Sequence, residues 1–464
     1  MSTDRRKFLK HLGTSVLLTS ASLTSLAAQE EHEIRTLRAE KRAGPNDKIR
    51  IATIGMGIMG FNDTRAALSV PGVELVAVCD LYKGRLARAK EVYGANLFTT
   101  MDYRDILDRK DVDAVIIATS DNWHSQISID AMRKGKAVYS EKPMVHQISQ
   151  GLAEIQVQKD TKMVFQVGSQ RISSIAYKKA KEMYDAGAIG KINSIEASFN
   201  RQDALGAWQY TIPTDGNIQN VDWSRFQANA KVRYDYDQNR FFRWRNYREY
   251  GTGVAGDLFV HLLTGIHYIT GSKGPERIYA IGDLAYWKDG RNVPDVMSAV
   301  VHYGETKEHP AFQVTLRVNF ISGEGDKTVT KIVGSEGVMD LGGEGDSFSI
   351  RNSKMAEAPG IGGWDSLFTY TEAEQKKLMD DYNKRYNESQ RMRPKFEPIT
   401  YRAPQGYNAS NEHFANFMDA IRNGTPVVED AVFGFRAAAP ALLCNDSYFS
   451  NKVINWDPVN MKII

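Results

Sequence analysis

"KIRIATIGMGIMG", residues 48–60, is the stretch that decides the fold. It runs from an apolar, strand-like segment into Gly55, Gly57 and Gly60, and a helix-like segment, residues 61–70, follows. The spacing is G-x-G-x-x-G between a strand and a helix. There the first glycine permits a tight turn, the second lets a pyrophosphate approach the backbone, and the third lets helix and strand pack closely. Phosphate then lies at the helix N-terminus, where unpaired N–H groups and the dipole favour an anion. Ile58 and Met59, inside the turn, join the glycines as candidate cofactor contacts. "VELVAVCD" reads as a second strand ending in Asp80, twenty residues after Gly60. A carboxylate there accepts hydrogen bonds from a ribose 2′-OH and repels a 2′-phosphate, so NAD is expected. Lys83 and Arg85 stand near enough to soften that preference, which keeps NADP as the alternative.

Strand and helix patterns go on alternating. Residues 85–93 read as helix, "VDAVIIAT" (112–119) as buried strand, 123–134 as helix and "KAVYSEKP" (136–143) as strand. That order predicts a parallel, doubly wound sheet. Ligands of such sheets bind beyond the carboxyl ends of the strands. Thr119, Ser120, Asn122, His124, Glu141 and Lys142 stand at such ends and become cofactor-side candidates.

Upstream, "DRRKFLKHLG" (4–13) places Arg5, Arg6, Lys7 and Lys10 before an apolar-leaning run, residues 11–28, that ends in small residues. This charged, apolar, small-residue order is that of a signal peptide, and "RRKFLK" resembles the twin-arginine type, with Asp4 where Ser or Thr is usual. The expectation is a periplasmic protein exported already folded: residues 1–28 as signal, 29–47 as a charged arm. The leader run is too short and polar for a stable membrane span. Residues 1–28 hold four basic residues and one acidic, and the rest of the chain is balanced, 55 against 55. A nucleic-acid partner is therefore not expected. Only Cys79 and Cys444 occur, too few for a disulfide framework, and they read as isolated buried thiols. About 435 residues exceed one core, so two domains are expected.

"GMGIMG", "ATSDNWH" and "SEKPM" together resemble the glucose–fructose oxidoreductase, inositol dehydrogenase and rhizopine-catabolism family, Gfo/Idh/MocA. "VGSQR" (167–171), "GKI" (190–192), "GDLFVH" (256–261) and "GSEG" (334–337) extend the resemblance in order. It implies an α/β Rossmann domain over 48–168. An α+β domain over 169–464 follows, with an open, mostly antiparallel sheet, C-terminal helices and a role in homo-oligomer contact. It also implies a catalytic centre at Lys142, Asp257 and His261, with Gln170 beside the cofactor and Arg171 toward the substrate. The residues support that centre independently. Asp257 and His261 are four apart and share one face of a helix. A carboxylate beside imidazole raises its basicity, oxidation of an alcohol needs such a base, and an ammonium stabilises the developing alkoxide. "KINSIEASFN", "DVMSAVVHY" and "FQVTLRVNF" alternate as strands do.

His267 is six residues from His261, about 240° around a helix, so the two cannot share a metal; no metal site is expected. His267 is a candidate for the substrate pocket. "NRFFRWRNYREYGTG" (239–253) interleaves four arginines with aromatics. Most of it is expected at a subunit contact, with Trp244 and Tyr247 reaching the pocket. Asp222 and Trp223 match a "DW" of similar exported relatives. The reading is an NAD-dependent oxidoreductase acting on a secondary hydroxyl of a sugar, cyclitol or glycoside, its cofactor tightly bound and recycled in place. The rivals are a glycosidase or lyase that oxidises transiently, and a non-catalytic sugar-binding protein.

Overall fold

The computed structural model describes residues 48–343 and 345–464, so the leader and arm, residues 1–47, lie outside it. Two sheets are present. The first comprises β1 Ile49–Ile54, β2 Val73–Cys79, β3 Phe98–Thr100, β4 Ala114–Ile117, β5 Ala137–Glu141 and β6 Phe165–Gly168. Its strand order is β3-β2-β1-β4-β5-β6 and every pairing is parallel. All four residues of β4 are buried, as expected of a strand covered by helices on both faces. The order reverses between β1 and β4, which opens a crevice at their carboxyl ends.

The helix after the glycine turn runs Ile58–Leu68, three residues earlier than its sequence pattern predicts, because Gly57 is itself the N-cap. Before the helix His124–Arg133, a 3₁₀ turn takes Asp121–Trp123.

The second sheet has ten strands, among them β7 Ile192–Asn200, β8 Arg277–Asp283, β9 Val296–Tyr303 and β10 Phe312–Asn319. All its pairings are antiparallel except β7 with β10. β10 alternates buried and exposed along most of its length, the period-2 pattern of a strand with one covered face. The helix Ala431–Ser450 buries twelve of its residues, Cys444 included. It packs on β6 and the helix Ile148–Thr161, and also on β8 and the helix Val260–Thr270, so one apolar element seals both sheets. Cys79 and Cys444 are both free and buried. Among the described residues no helix is long and apolar enough to cross a membrane.

Candidate active site

One cleft of about 650 Å³ runs from the crevice of the first sheet to the covered face of the second. Its floor at the first sheet is backbone. Gly55 adopts φ +94°, and a Cβ there would stand 2.5 Å from the Ala118 carbonyl oxygen. Gly60 packs so tightly that a Cβ would lie 1.9 Å from the Gly55 oxygen; it shapes the turn and does not line the cleft. A Cβ on Gly57 would meet nothing within 4 Å. The helix that Gly57 caps has no side-chain cap and no acid in its first turn. Open space over uncapped N–H groups fits a dinucleotide pyrophosphate. Ile58 and Met59 line the same opening.

Asp80 closes the turn from the side. Its Oδ2 accepts from Met56 N at 2.7 Å and its Oδ1 from Tyr82 N at 2.8 Å. Each oxygen keeps a second lone pair. Arg85 stands 3.6 Å from the carboxylate and lines the cleft, whereas Lys83 turns away and donates to the Gln219 carbonyl. Of the two cations expected to soften the NAD preference, only Arg85 is placed to do so.

Thr119, Ser120, His124, Glu141 and Gln170 line the cleft at the strand ends. His124 is buried, with Nδ1 2.8 Å from the Pro143 carbonyl oxygen; burial lowers its pKa. Gln170 Nε2 donates to Glu141 Oε1 at 2.6 Å and to Tyr139 Oη at 2.9 Å. Burial raises Glu141 to about 7, with Lys142 and Gln170 opposing. Asn122 does not line the cleft. It accepts from Ser120 Oγ and exchanges 2.6 Å hydrogen bonds with Asn229, so it serves as an anchor rather than a cofactor contact.

That anchor belongs to a roof which the sequence reading did not foresee. Residues 201–252 leave β7 and return across the mouth of the crevice. Lys83 N donates to Asn220 O and Asp222 N donates to Leu81 O, at 3.0 and 2.8 Å. Trp123 Nε1 donates to Phe226 O, and Arg225 pairs with Asp102. Tyr82, Val221, Trp223, Phe226, Phe241, Phe242, Tyr247 and Tyr250 form one buried, mostly aromatic cluster beneath these contacts. Asp222 caps the short helix Trp223–Phe226 through Arg225 N. The expected subunit contact is therefore corrected: the aromatics of 241–250 are spent inside the chain. Arg240 lies over Tyr234 and Tyr247 and pairs with Glu249, which satisfies the charge without a second subunit. Tyr247 is buried under Arg240 and does not line the cleft; Trp244 does.

At the other end, Lys142 Nζ donates to Asp257 Oδ1 at 2.9 Å and to its backbone oxygen at 3.1 Å. Arg245 Nε donates to the same Oδ1 at 3.3 Å. Burial alone would lift the Asp257 pKa, but Lys142 and Arg245 hold it well below the carboxylate range. The expected helix starts with a π turn, Ala255–Phe259, before the α-helix Val260–Thr270, an irregularity common at functional sites. His261 lines the cleft on the first turn of that α-helix. Its expected gain in basicity is also corrected. Burial, then Lys142 and Arg171, push its pKa well below the usual value, and Asp257 opposes only in part because its carboxylate is engaged by two cations. The imidazole is neutral at neutral pH. His267 is not in the cleft. It is buried with Nε2 2.8 Å from Tyr303 Oη, its pKa pushed down to about 3 by burial, so its place in the substrate pocket is withdrawn. Arg171 does line the cleft, as does Arg245 of the arginine–aromatic segment, and Arg201, Trp208, Tyr210 and Tyr407 join them there without a signal in the sequence. Among the described residues no group of acids, histidines and cysteines could hold a metal.

Residues 49–169 match the oxidoreductase family model with an NAD-binding Rossmann fold, and residues 225–340 match the GFO/IDH/MocA C-terminal domain. The chain is 34% identical over 229 residues to scyllo-inositol 2-dehydrogenase (NAD(+)) of Bacillus subtilis strain 168. That alignment covers 46% of this chain and 66% of that protein, a little under two thirds of its length. It is 33% identical over 268 residues to inositol 2-dehydrogenase of Salmonella typhimurium strain LT2, covering 54% and 79%. Among solved structures, levoglucosan dehydrogenase in complex with NADH and levoglucosan superposes with a TM-score of 0.61. Its identity is 18%, with 88% of this chain and 99% of that one covered.

Proposed function

Because this chain belongs to the Gfo/Idh/MocA family of oxidoreductases, we propose that it moves hydride between NAD and a secondary hydroxyl of a sugar or cyclitol. One observation carries the reading: the Lys142–Asp257 pair and His261 line the same cleft as the glycine turn. Bound NAD would supply the two-electron acceptor or donor. The residues supply the rest. Neutral His261 accepts the hydroxyl proton as the C–H bond gives up its electron pair. The Lys142 ammonium, held by Asp257, donates to the same oxygen and stabilises its growing negative charge. Arg245 keeps Asp257 ionised and in place. In the reverse direction His261 returns the proton.

The roof over the crevice supports tight retention of the cofactor, with oxidation and reduction completed in one binding event or on alternating substrates. Export in the folded state through Arg5 and Arg6, to the periplasm, accords with a cofactor loaded beforehand, since bound ligand stabilises the fold by mass action. A homo-oligomer is also proposed. Tyr279, Ile281 and Val300 stand exposed on one face of the second sheet, a patch that a second copy of the chain would cover. Light scattering on the purified protein tests it, a monomer overturning it.

The function is tested by denaturing the purified mature protein, assaying the supernatant for nicotinamide dinucleotide, and following a sugar panel by mass spectrometry. A two-dalton change with bound cofactor supports the reading. Glycoside cleavage without net redox change would turn it into the glycosidase, and inertness with bound cofactor into a binding protein.

A further inference from the structure

The substrate end of the cleft is organised around one ring, that of Phe199 on β7. The His261 ring centroid lies 6.1 Å from it. The guanidinium carbons of Arg171 and Arg201 lie 5.5 and 5.0 Å from it. All three polar groups line the cleft. Two arginines thus stand within one aromatic ring of the imidazole.

The surroundings of Arg201 differ from those of Lys142 and Arg245. Lys142 and Arg245 share the Asp257 carboxylate. Arg201 donates to the Gly206 carbonyl at 3.3 Å and has no carboxylate partner among the described residues. Two further acids among the described residues reach this part of the lining. Asp121 is turned onto Thr252, accepting from its N and Oγ1 at 2.9 and 2.7 Å, and Asp346 faces Arg402 at 3.7 Å. A guanidinium on an aromatic face, facing a cleft, is arranged to receive a planar anion through two parallel N–H bonds. Trp208, Tyr210 and Trp244 line the same end with flat surfaces suited to sugar C–H faces. Trp208 also holds φ +64°, a conformation that a bulky residue adopts only where its surroundings impose it.

We propose that the substrate is a carboxylated sugar of the uronate type, its carboxylate held by Arg201 beside Arg171 while the reacting hydroxyl lies at His261 and Lys142. This rests on the oxidoreductase reading for the role of His261 and Lys142, but the anion site has its own test. The positive potential agrees with the depressed basicity of His261, to which Lys142, Arg171 and Arg201 all contribute.

The experiment is calorimetric binding to the full mature chain carrying NAD. The probes are glucuronate against glucose, galacturonate against galactose, and glucose 6-phosphate as a second anion. At least one uronate should bind about tenfold or more tightly than its neutral partner. Arg201→Gln should remove that preference, bringing the affinity for the uronate down to that for its neutral partner. Arg201→Lys, which keeps the charge and loses the fork, should fall between them and serves if the glutamine variant does not fold. Equal affinity for neutral and acidic sugars overturns the proposal, and so does no uronate binding. It is also overturned by tighter binding of glucose 6-phosphate than of both uronates, or by a preference unaffected in both variants. Mass spectrometry of the same mixtures keeps the two readings apart. Uronate bound through Arg201 but never oxidised defeats the oxidoreductase reading alone, and oxidation confined to neutral sugars defeats this one alone.

Discussion

The two ends of the cleft are built from different material. The cofactor end is backbone: a glycine turn, the N-terminus of one helix and the carboxyl ends of β1 and β4. The substrate end is side chain: Lys142 after β5, Arg171 after β6, Arg201 after β7, Arg245 in the roof, His261 after a π turn and Tyr407 far downstream. Backbone recognition needs particular residues in a row, because close approach depends on missing side chains. Side-chain recognition needs only that distant segments meet.

The largest expected effect breaks the backbone end without touching the fold. In Gly57→Val the new side chain meets no protein atom near its Cβ, and the backbone there is extended. The protein should fold with an unchanged melting temperature in the absence of ligand and carry no dinucleotide. Gly60→Ala should instead cost stability as well as cofactor, since the Gly55 carbonyl cannot move out of its turn. A Gly57→Val protein that retains stoichiometric NAD would show that the open space belongs to something else.

The next effect is on chemistry. Lys142→Met should lower turnover by roughly a hundredfold or more while leaving bound NAD in place. Asp257→Asn leaves Lys142 and Arg245 as two half-buried cations with no shared anion, and should lose both turnover and melting temperature. Equal losses of cofactor and turnover in Lys142→Met would mean that the two ends do not divide the work.

That division explains what could be read from the chain. Gly55, Gly57, Asp80 and the strand ends through Lys142 are contiguous or regularly spaced, so elementary geometry located them. Lys142, Asp257 and His261 came together through family likeness and one helical spacing, and the π turn and the carboxylate's preference for two cations altered that spacing's meaning. Tyr247 and His267 carry chemistry in their side chains, yet one is sealed beneath Arg240 and the other behind Tyr303. Neither fate has a local signal. Arg201 and Trp208 were invisible for the converse reason: they are ordinary loop residues until β7 and the returning segment place them. Interleaved arginine and aromatic residues satisfy an interior cluster as well as a subunit interface, so the sequence pattern of the roof does not distinguish the two.

The roof provides a smaller effect that sharpens the comparison. Among its contacts with the crevice are Asn229 to Asn122 and Arg225 to Asp102, which are separate from the one that Arg245 makes to Asp257. A hydrogen bond of this kind contributes about 1 kcal/mol, and a partly exposed ion pair about 1 kcal/mol or less. Removing both side chains, in Asn229→Ala with Arg225→Ala, should speed cofactor release by roughly tenfold, read by dilution of NADH-loaded protein into excess NAD. Turnover on bound cofactor should stay near normal. Unchanged release would leave the roof a packing element only.

The smallest effect distinguishes the ends by the sign of a pH slope. Glu141 stands at the cofactor end, facing Asp63, Lys142, Gln170, Arg245 and Asp257, and burial raises its pKa to about 7. Its folded value exceeds the unfolded one, near 4.3. Its contribution to stability is therefore fully present below that unfolded value and is lost as pH rises through the folded one. His261 stands at the substrate end, and burial, Lys142 and Arg171 lower its pKa far below the unfolded value near 6.5. Its contribution is present above 6.5 and is lost as pH falls. Glu141→Gln keeps an acceptor for Gln170 and cannot ionise, so its melting temperature should gain on the wild type as pH rises from 4.5 to 7. His261→Gln should gain as pH falls below 6.5. Each slope is bounded by about 1.4 kcal/mol per pH unit, a shift of a few degrees at most in a chain of this size. Calorimetric scans of the three proteins at pH 5, 6, 7 and 8 decide it. Slopes of the same sign would mean that one of the two groups titrates as it does in the unfolded chain, and that the cleft does not hold a protonatable carboxyl at one end and a neutral imidazole at the other.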